Sequence, residues 1–252
     1  MSRVIAVANQ KGGVGKTTTV VNLGASLAAA EKKTLIVDFD PQSNATSGLG
    51  HRGNHGGRTV YKVLGGEVPA EEALLPTELP HLSLLPSERE LTGAEIELVQ
   101  IEGREHALRN VLEPIRARFD YILIDTPPSL GLLTLNGLVA CDSVLVPLQC
   151  EYYALEGIAE LESTLDRVRA SLNPAIEIEG VVLTMYDDRT NLSRMVSDEV
   201  RRYFGDRVYR TVIPRNVRLG EAPSHGKPII LYDIRSSGAQ AYLQLAQEVM
   251  KR

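Results

Sequence analysis

The chain has 252 residues, of which 43% are hydrophobic and 23% charged, with a formal net charge of −5. Such a chain can bury a full core as one large α/β domain or two small ones, and it lacks the composition of a disordered protein. Overall acidity argues against a nucleic-acid binder, but residues 189–227 carry nine Lys/Arg against four Asp/Glu and leave the remainder near −10, and it is local charge that docks on phosphates. No apolar run is long enough to cross a bilayer. The N-terminus enters a strand at Arg3-Val4-Ile5-Ala6-Val7 without a signal-peptide pattern. Cys141 and Cys150, in neither CxxC nor zinc-finger spacing, read as buried thiols of a reduced cytoplasmic protein.

In chain order, residues 4–8, 34–37, 82–85, 121–124, 143–148, 181–184 and 208–213 are short runs rich in Val, Ile and Leu that do not alternate with polar residues. Strands buried on both faces read this way, so the runs predict a mostly parallel sheet. Amphipathic stretches lie between them. One is Ile158, Leu161, Leu165, Val168 and Leu172, and another closes the chain at Tyr242, Leu245, Ala246 and Val249. Repeated βα units predict a doubly wound α/β fold with helices on both faces, here a single domain over residues 1–252. Residues 51–57 are Gly-rich and predict a surface loop, so His51 and His55, although spaced i, i+4, are not read as a metal pair. Residues 69–86 hold four of the 13 prolines and predict a connecting insertion.

After the first strand comes Gln10-Lys11-Gly12-Gly13-Val14-Gly15-Lys16-Thr17-Thr18, followed by a helical pattern over residues 18–29. A strand, a glycine loop and a helix start make a phosphate cradle, with backbone N–H groups pointing inward and the helix N-terminus adding positive potential. Lys16 is placed to reach β- and γ-phosphates and the Thr17 hydroxyl to ligate Mg²⁺. The usual loop begins with Gly six residues before the lysine; here that residue is Gln10, and a second lysine, Lys11, stands at the mouth.

Lys-Gly-Gly-Val-Gly-Lys-Thr-Thr resembles the deviant Walker A box of the ParA/MinD ATPases. Val37-Asp38-Phe39-Asp40-Pro41-Gln42 resembles that family's second acidic motif, and Ile124-Asp125-Thr126-Pro127-Pro128 its Walker B equivalent. Residues 211–223, with Ile213-Pro214-Arg215-Asn216-Val217-Arg218, are similar to the chromosomal ParA (Soj) branch. The resemblance runs from residue 3 to the end of the chain.

The resemblance implies an ATPase that uses ATP and Mg²⁺ to form a sandwich homodimer. Lys11 would reach across the interface to the partner's phosphates, and Gly12 would lie at the closest approach of the two chains. Gly12, Gly13, Val14, Gly15, Lys16, Thr17 and Thr18 would hold the nucleotide. Asp40, read as ending its strand, would position the attacking water, and Asp125 would hold Mg²⁺ through water. Asp38 reads as a structural partner of the phosphate loop. Met185, expected just after its strand, would pack near the base. Pro214 and Asn216 would touch the adenine, although Pro214 reads equally as a turn proline. Arg189 and Arg218 match the DNA-contacting pair of the Soj branch. Arg194, Arg201, Arg202, Arg215 and Lys227 read either as further contacts or as a solvated charged face.

The implied partners are non-specific DNA, another copy of the chain and a ParB-type centromere-binding protein that stimulates hydrolysis, with the protein on the nucleoid. Three other readings differ in what they require. A MinD-like membrane ATPase needs a basic amphipathic helix beyond Lys251-Arg252. A metabolic P-loop enzyme needs a dedicated substrate pocket, or cysteines placed for an iron–sulfur bridge. A DNA scaffold without catalysis does not need the intact Lys16, Thr17, Asp40 and Asp125. With strand one beginning at residue 3, no N-terminal helix-turn-helix is expected.

Overall fold

The computed structural model describes residues 2–53, 55–151 and 154–252. Eight strands form one sheet: β1 (Arg3–Val7), β2 (Thr34–Asp38), β3 (Leu75–Pro76), β4 (Leu82–Leu85), β5 (Tyr121–Asp125), β6 (Ser143–Gln149), β7 (Glu177–Tyr186) and β8 (Val208–Pro214). Their spatial order is β3-β4-β2-β5-β1-β6-β7-β8. All neighbours are parallel except β3 and β4.

Side-chain alternation along each strand builds two separate cores. Val4, Ala6, Leu35, Val37, Ile122, Ile124, Val144 and Val146 face one side. They meet Leu108 and Leu112, Leu133 and Leu138, Leu161 and Leu165, and Val200 and Phe204. Those residues lie on the helices Ala107–Arg116, Leu132–Ala140, Ala154–Ser171 and Asn191–Phe204. Ile5, Val7, Ile36, Leu123 and Leu145 face the other side, against the helices Lys16–Ala29 and Ser237–Lys251. Each fully buried Val, Leu or Ile contributes about 1.5–3 kcal/mol. A strand with only one apolar face could not serve both layers, which is why the apolar runs are unbroken.

The structure refines several expected boundaries. The stretch 69–86 supplies, besides β4, the helix Ala70–Ala73 and the short antiparallel strand β3. Pro76 is tolerated there because β3 is an edge strand and needs no donor on its open side. The first helix begins at Lys16, two residues earlier than the apolar pattern indicates. Asp40 does not end a strand: β2 stops at Asp38, and Asp40 sits two residues beyond. Met185 does not follow β7 but lies within its last two residues.

β1 lies in the middle of the sheet, between β5 and β6. The loops at its carboxyl end therefore open where strand order reverses, the usual crevice for ligands in such sheets. Gly24 sets how closely the helix Lys16–Ala29 approaches the sheet, since a Cβ there would sit 2.7 Å from Ile36 Cδ1. Ile36 is fully buried and has little room to yield. Gly24→Val is expected to destabilise the protein by about 1–3 kcal/mol, read as a lower urea midpoint with an unchanged slope.

Candidate functional site

The phosphate loop is braced by neighbouring strands. Asn9 Nδ2 donates to the Pro147 carbonyl at 2.8 Å, and Asn9 Oδ1 accepts from the Lys11 amide at 3.0 Å. On the far side the Thr184 hydroxyl donates to the Val14 carbonyl at 2.8 Å. Gly13 (φ +76°) and Gly15 (φ +91°) hold left-handed backbone, which a side chain would strain. The helix that follows has no side-chain cap at its N-terminus. Its first-turn N–H groups thus call for an acceptor from outside the helix, as an anion would provide.

Lys16 is buried, and its Nζ donates to the carbonyls of Asn9 at 2.8 Å and Lys11 at 3.1 Å. Desolvation lowers its pKa, while Asp125 and Asp40 pull it back up. Lys11 behaves differently. It is about one-third exposed, and its Nζ pairs with Glu151 of the same chain at 2.7 Å. Glu151 is also bonded by Gln149 Nε2.

Asp38 and Asp125 are register partners on β2 and β5, and both are fully buried. Asp38 is well served by donors. Its Oδ2 accepts from the Thr46 amide at 2.7 Å and the Thr46 hydroxyl at 2.6 Å, and its Oδ1 accepts from the Asp40 amide at 3.3 Å. Its partner is therefore the loop that carries Asp40 rather than the phosphate loop, which corrects the expectation above. Burial still pushes the Asp38 carboxyl up to about 6.

Asp125 has no such service. Among the described residues, the buried side-chain polar atoms without a hydrogen-bond partner are Ser2 Oγ and both Asp125 carboxylate oxygens. Burial pushes the Asp125 carboxyl well above the ordinary range and Asp38 adds to this, against weaker pulls from the Thr17 hydroxyl and Lys16. An unpartnered buried carboxylate is costly unless something positive or donating completes it. Asp125, with the Thr17 hydroxyl beside it, fits a hydrated divalent cation such as Mg²⁺, which takes one or two carboxylates and keeps several waters.

Asp40 is buried at the same edge and held by its loop. Its Oδ1 accepts from the Gln42 amide at 2.9 Å, and its carbonyl accepts from the Ser87 hydroxyl at 2.8 Å. Sequence reasoning missed Asn9, Thr46, Ser87, Thr184 and Glu151. Asn9 and Glu151 adjoin motif and strand ends, but nothing in the spacing of Thr46 or Ser87 marks them.

The residues expected at the base come together. Met185, Pro214 and Asn216 line a cleft of about 350 Å³ with Gly15, Thr18 and Tyr242. Tyr242, also missed, is buried and shares a 3.2 Å hydrogen bond with Thr19. Met185 holds φ +50°, a conformation that a residue with a side chain adopts only under constraint from its surroundings. Asn216 also caps the helix Val217–Glu221 through the Arg218 amide, and its Nδ2 donates to Ser237 Oγ at 2.6 Å. A larger groove of about 460 Å³, lined by Glu162, Asp166, Arg169, Glu177 and Arg207, lies at the opposite end of β7 and touches none of these groups.

Arg189 and Arg218 are exposed, on segments leaving β7 and β8. His51 and His55 sit with ring centroids 6.5 Å apart, and no cluster of three metal-ligating side chains occurs among the described residues. No helix among them is long and apolar enough to cross a membrane.

The buried carboxylates set a pH dependence. A carboxyl whose folded pKa is raised keeps its proton while the unfolded chain loses its own, so stability falls as pH rises from about 4 through the folded pKa. The metal-free protein is expected to lose stability as pH rises above about 4, Asp38 contributing up to about 6 and Asp125, whose carboxyl is raised well above the ordinary range, contributing over that rise and beyond. Asp125→Asn should remove the Asp125 share of this loss and raise the melting temperature at neutral pH. Thermal melts across pH check both.

A family model described as an AAA domain matches residues 2–178. The chain is 56% identical over 252 residues to the chromosome partitioning protein ParA of Myxococcus xanthus, covering 100% of this chain and 89% of that one. It is 56% identical over 249 residues to the sporulation initiation inhibitor protein Soj of Bacillus subtilis, covering 99% and 98%. A crystal structure titled cobyrinic acid a,c-diamide synthase, from Mycobacterium smegmatis with a bound ATP analogue and magnesium, matches with a TM-score of 0.86. It is 40% identical and covers 100% of this chain and 95% of that one. Phosphate loop, acidic edge and base cleft agree with that company: the chain belongs to the ParA/Soj family of chromosome-partitioning proteins and is an ATPase.

Proposed function

We propose that residues 1–252 work as one ATPase domain that partitions DNA, gripping non-specific DNA as an ATP-bound homodimer and releasing it after hydrolysis. A ParB-type protein is the partner that stimulates hydrolysis, and the site of action is the nucleoid in the cytoplasm. One observation carries the link between nucleotide and DNA. Tyr186 and Pro214 are register partners at the ends of β7 and β8. Met185, Pro214 and Asn216 of the base cleft and the segments bearing Arg189 and Arg218 thus leave the same two strand ends.

Within the site, the amides of residues 12–18 and Lys16 Nζ hold the phosphates, Lys16 exchanging its bonds to the Asn9 and Lys11 carbonyls for phosphate oxygens. Thr17 and Asp125 would hold Mg²⁺, which would supply positive charge to offset the negative charge that builds up during phosphoryl transfer. Asp40, fixed by the Gln42 amide, orients the attacking water. Lys11 leaves Glu151 to meet the phosphates of the second subunit. Arg189 and Arg218 contact DNA phosphates, which gives little sequence preference and a strong salt dependence.

The Mycobacterium relative is titled as a small-molecule synthase, but the two partitioning relatives are more similar to this chain, at 56% identity over nearly its full length. The test is binding to a random-sequence duplex with ATP, with ADP and without nucleotide, comparing the wild type with Gly12→Val. A Cβ at Gly12 meets nothing within 4 Å in its own chain, so stability should stay within about 0.5 kcal/mol. The wild type should bind DNA at least about tenfold more tightly with ATP, as expected when a dimer doubles the phosphate contacts. Gly12→Val should bind ATP but lose both the dimer and the DNA. ATP-independent DNA binding, or a Gly12→Val protein that dimerises normally, would overturn the reading.

A further inference from the structure

The two arginines assigned to DNA are already engaged by carboxylates of their own chain. Arg189 is 83% exposed at its side chain. Even so, its Nε donates to Asp187 Oδ1 at 2.8 Å and its Nη2 to Asp187 Oδ2 at 2.7 Å. This is the two-pronged pairing that a phosphate would make with the same edge of the guanidinium. The Arg189 amide also donates to Asp187 Oδ1 at 3.1 Å, so the turn holds the carboxylate in place.

Arg218 is engaged differently, by two carboxylates with one contact each. Its Nη1 donates to Glu221 Oε2 at 2.9 Å, and its Nε lies 3.7 Å from Asp233 Oδ2. The Tyr232 hydroxyl, donating to Glu221 Oε2 at 3.2 Å, steadies that carboxylate. Arg194, on the neighbouring helix, bonds instead to the neutral amide oxygen of Asn191. Asp187 and Glu221 lie two and three residues from their arginines, so the local sequence supplies them, while the fold brings up Asp233 as a more distant second carboxylate for Arg218. Arg189 holds the Asp187 carboxyl down at about 2, so this partner stays charged at any working pH.

We propose that Asp187 and Glu221 are built-in competitors of the DNA backbone. Asp187 occupies the two-donor edge of Arg189 that a DNA phosphate would take, Glu221 occupies one N–H of Arg218, and together they set the affinity of one subunit low. This rests on the DNA reading above and adds the residues that limit it. DNA must displace each carboxylate and then lie beside it, which offsets part of every phosphate contact. Exposed pairs are weak, so the competition tunes binding without blocking it. A single subunit is left with a poor grip, while a dimer multiplies two such grips. The same competition lets DNA leave readily once the dimer parts.

The experiment uses the full chain with ATP and Mg²⁺ and a random-sequence duplex, read by fluorescence anisotropy over a salt series. The variants are Asp187→Asn, Glu221→Gln and their combination, with Arg189→Ala/Arg218→Ala as the loss control. Glu113→Gln is the charge control: Glu113 is exposed on the helix Ala107–Arg116, and no ion pair to it occurs among the described residues. Asn and Gln keep an acceptor oxygen for the local N–H groups, and thermal melts confirm that each variant is folded. Each single change should tighten DNA binding about threefold, and the double change at least about fivefold with a steeper salt dependence. Glu113→Gln should leave binding unchanged.

The proposal is overturned if the acid variants bind DNA no more tightly than a wild type whose binding needs Arg189 and Arg218. It is equally overturned if Glu113→Gln gives the same gain, since net charge would then explain the effect. A wild type that does not bind DNA, or a double-arginine variant that binds like the wild type, sinks the DNA reading itself, and the proposal falls with it.

Discussion

Asp38 and Asp125 stand side by side on adjoining strands, fully buried, at the edge of the sheet where the phosphate loop turns. Two carboxylates so placed repel each other and have lost their water, and one of them has no donor of its own. A core built only for stability would not keep this arrangement. The positive groups that relieve it are arranged nearby: Lys16, the uncapped helix start and the Thr17 hydroxyl. These groups of opposite sign converge on one small volume, and a nucleotide with its cation would complete both sets.

The sheet makes this concentration of charge affordable. Its two apolar layers are separate, each closed by its own helices, so the polar edge need not contribute to packing. The left-handed backbone that shapes the site falls on Gly13 and Gly15, where glycine takes it freely, and on Met185 at the end of β7, which carries a side chain there. Hydrogen bonds from neighbouring strands hold these positions. Asn9 ties the loop toward β6, Thr184 ties it to β7, and Thr46 with Ser87 fixes the segment around Asp40. The catalytic edge is thus rigid through side chains that do no chemistry. The arginine surface lies at the same ends of β7 and β8 but is exposed and held by ion pairs to Asp187, Glu221 and Asp233.

Much of this was legible in the sequence, for identifiable reasons. Unbroken Val/Ile/Leu runs reveal a sheet covered on both faces, and seven of them coincide with strands to within a few residues. The phosphate loop is a contiguous motif whose backbone conformation is written in its glycines. The resemblance points Pro214 and Asn216 at the base, and Met185 is placed there by its position at a strand end, so no spacing among the three, far apart in the chain, reveals their common cleft. β3 was not legible, because two residues with a proline carry no strand periodicity. The bracing roles of Asn9, Thr46 and Ser87 were hidden for a different reason. A polar side chain that satisfies a distant backbone group leaves no local pattern. The carboxylate partners of Arg189 and Arg218 lay in plain view, but charge counting treats them as neutralisation and not as geometry.

The direct test of the central claim is the dependence of ATP affinity on Mg²⁺, measured by titration calorimetry on the wild type and on Asp125→Asn. If the unpartnered carboxylate is there to complete a cation site, Mg²⁺ will strengthen ATP binding to the wild type at least about tenfold, the range expected for a metal clamped between carboxylate and phosphates. Asp125→Asn will bind ATP with little dependence on Mg²⁺. The same Mg²⁺ dependence in both proteins would contradict the account and leave the buried carboxylate pair without a function.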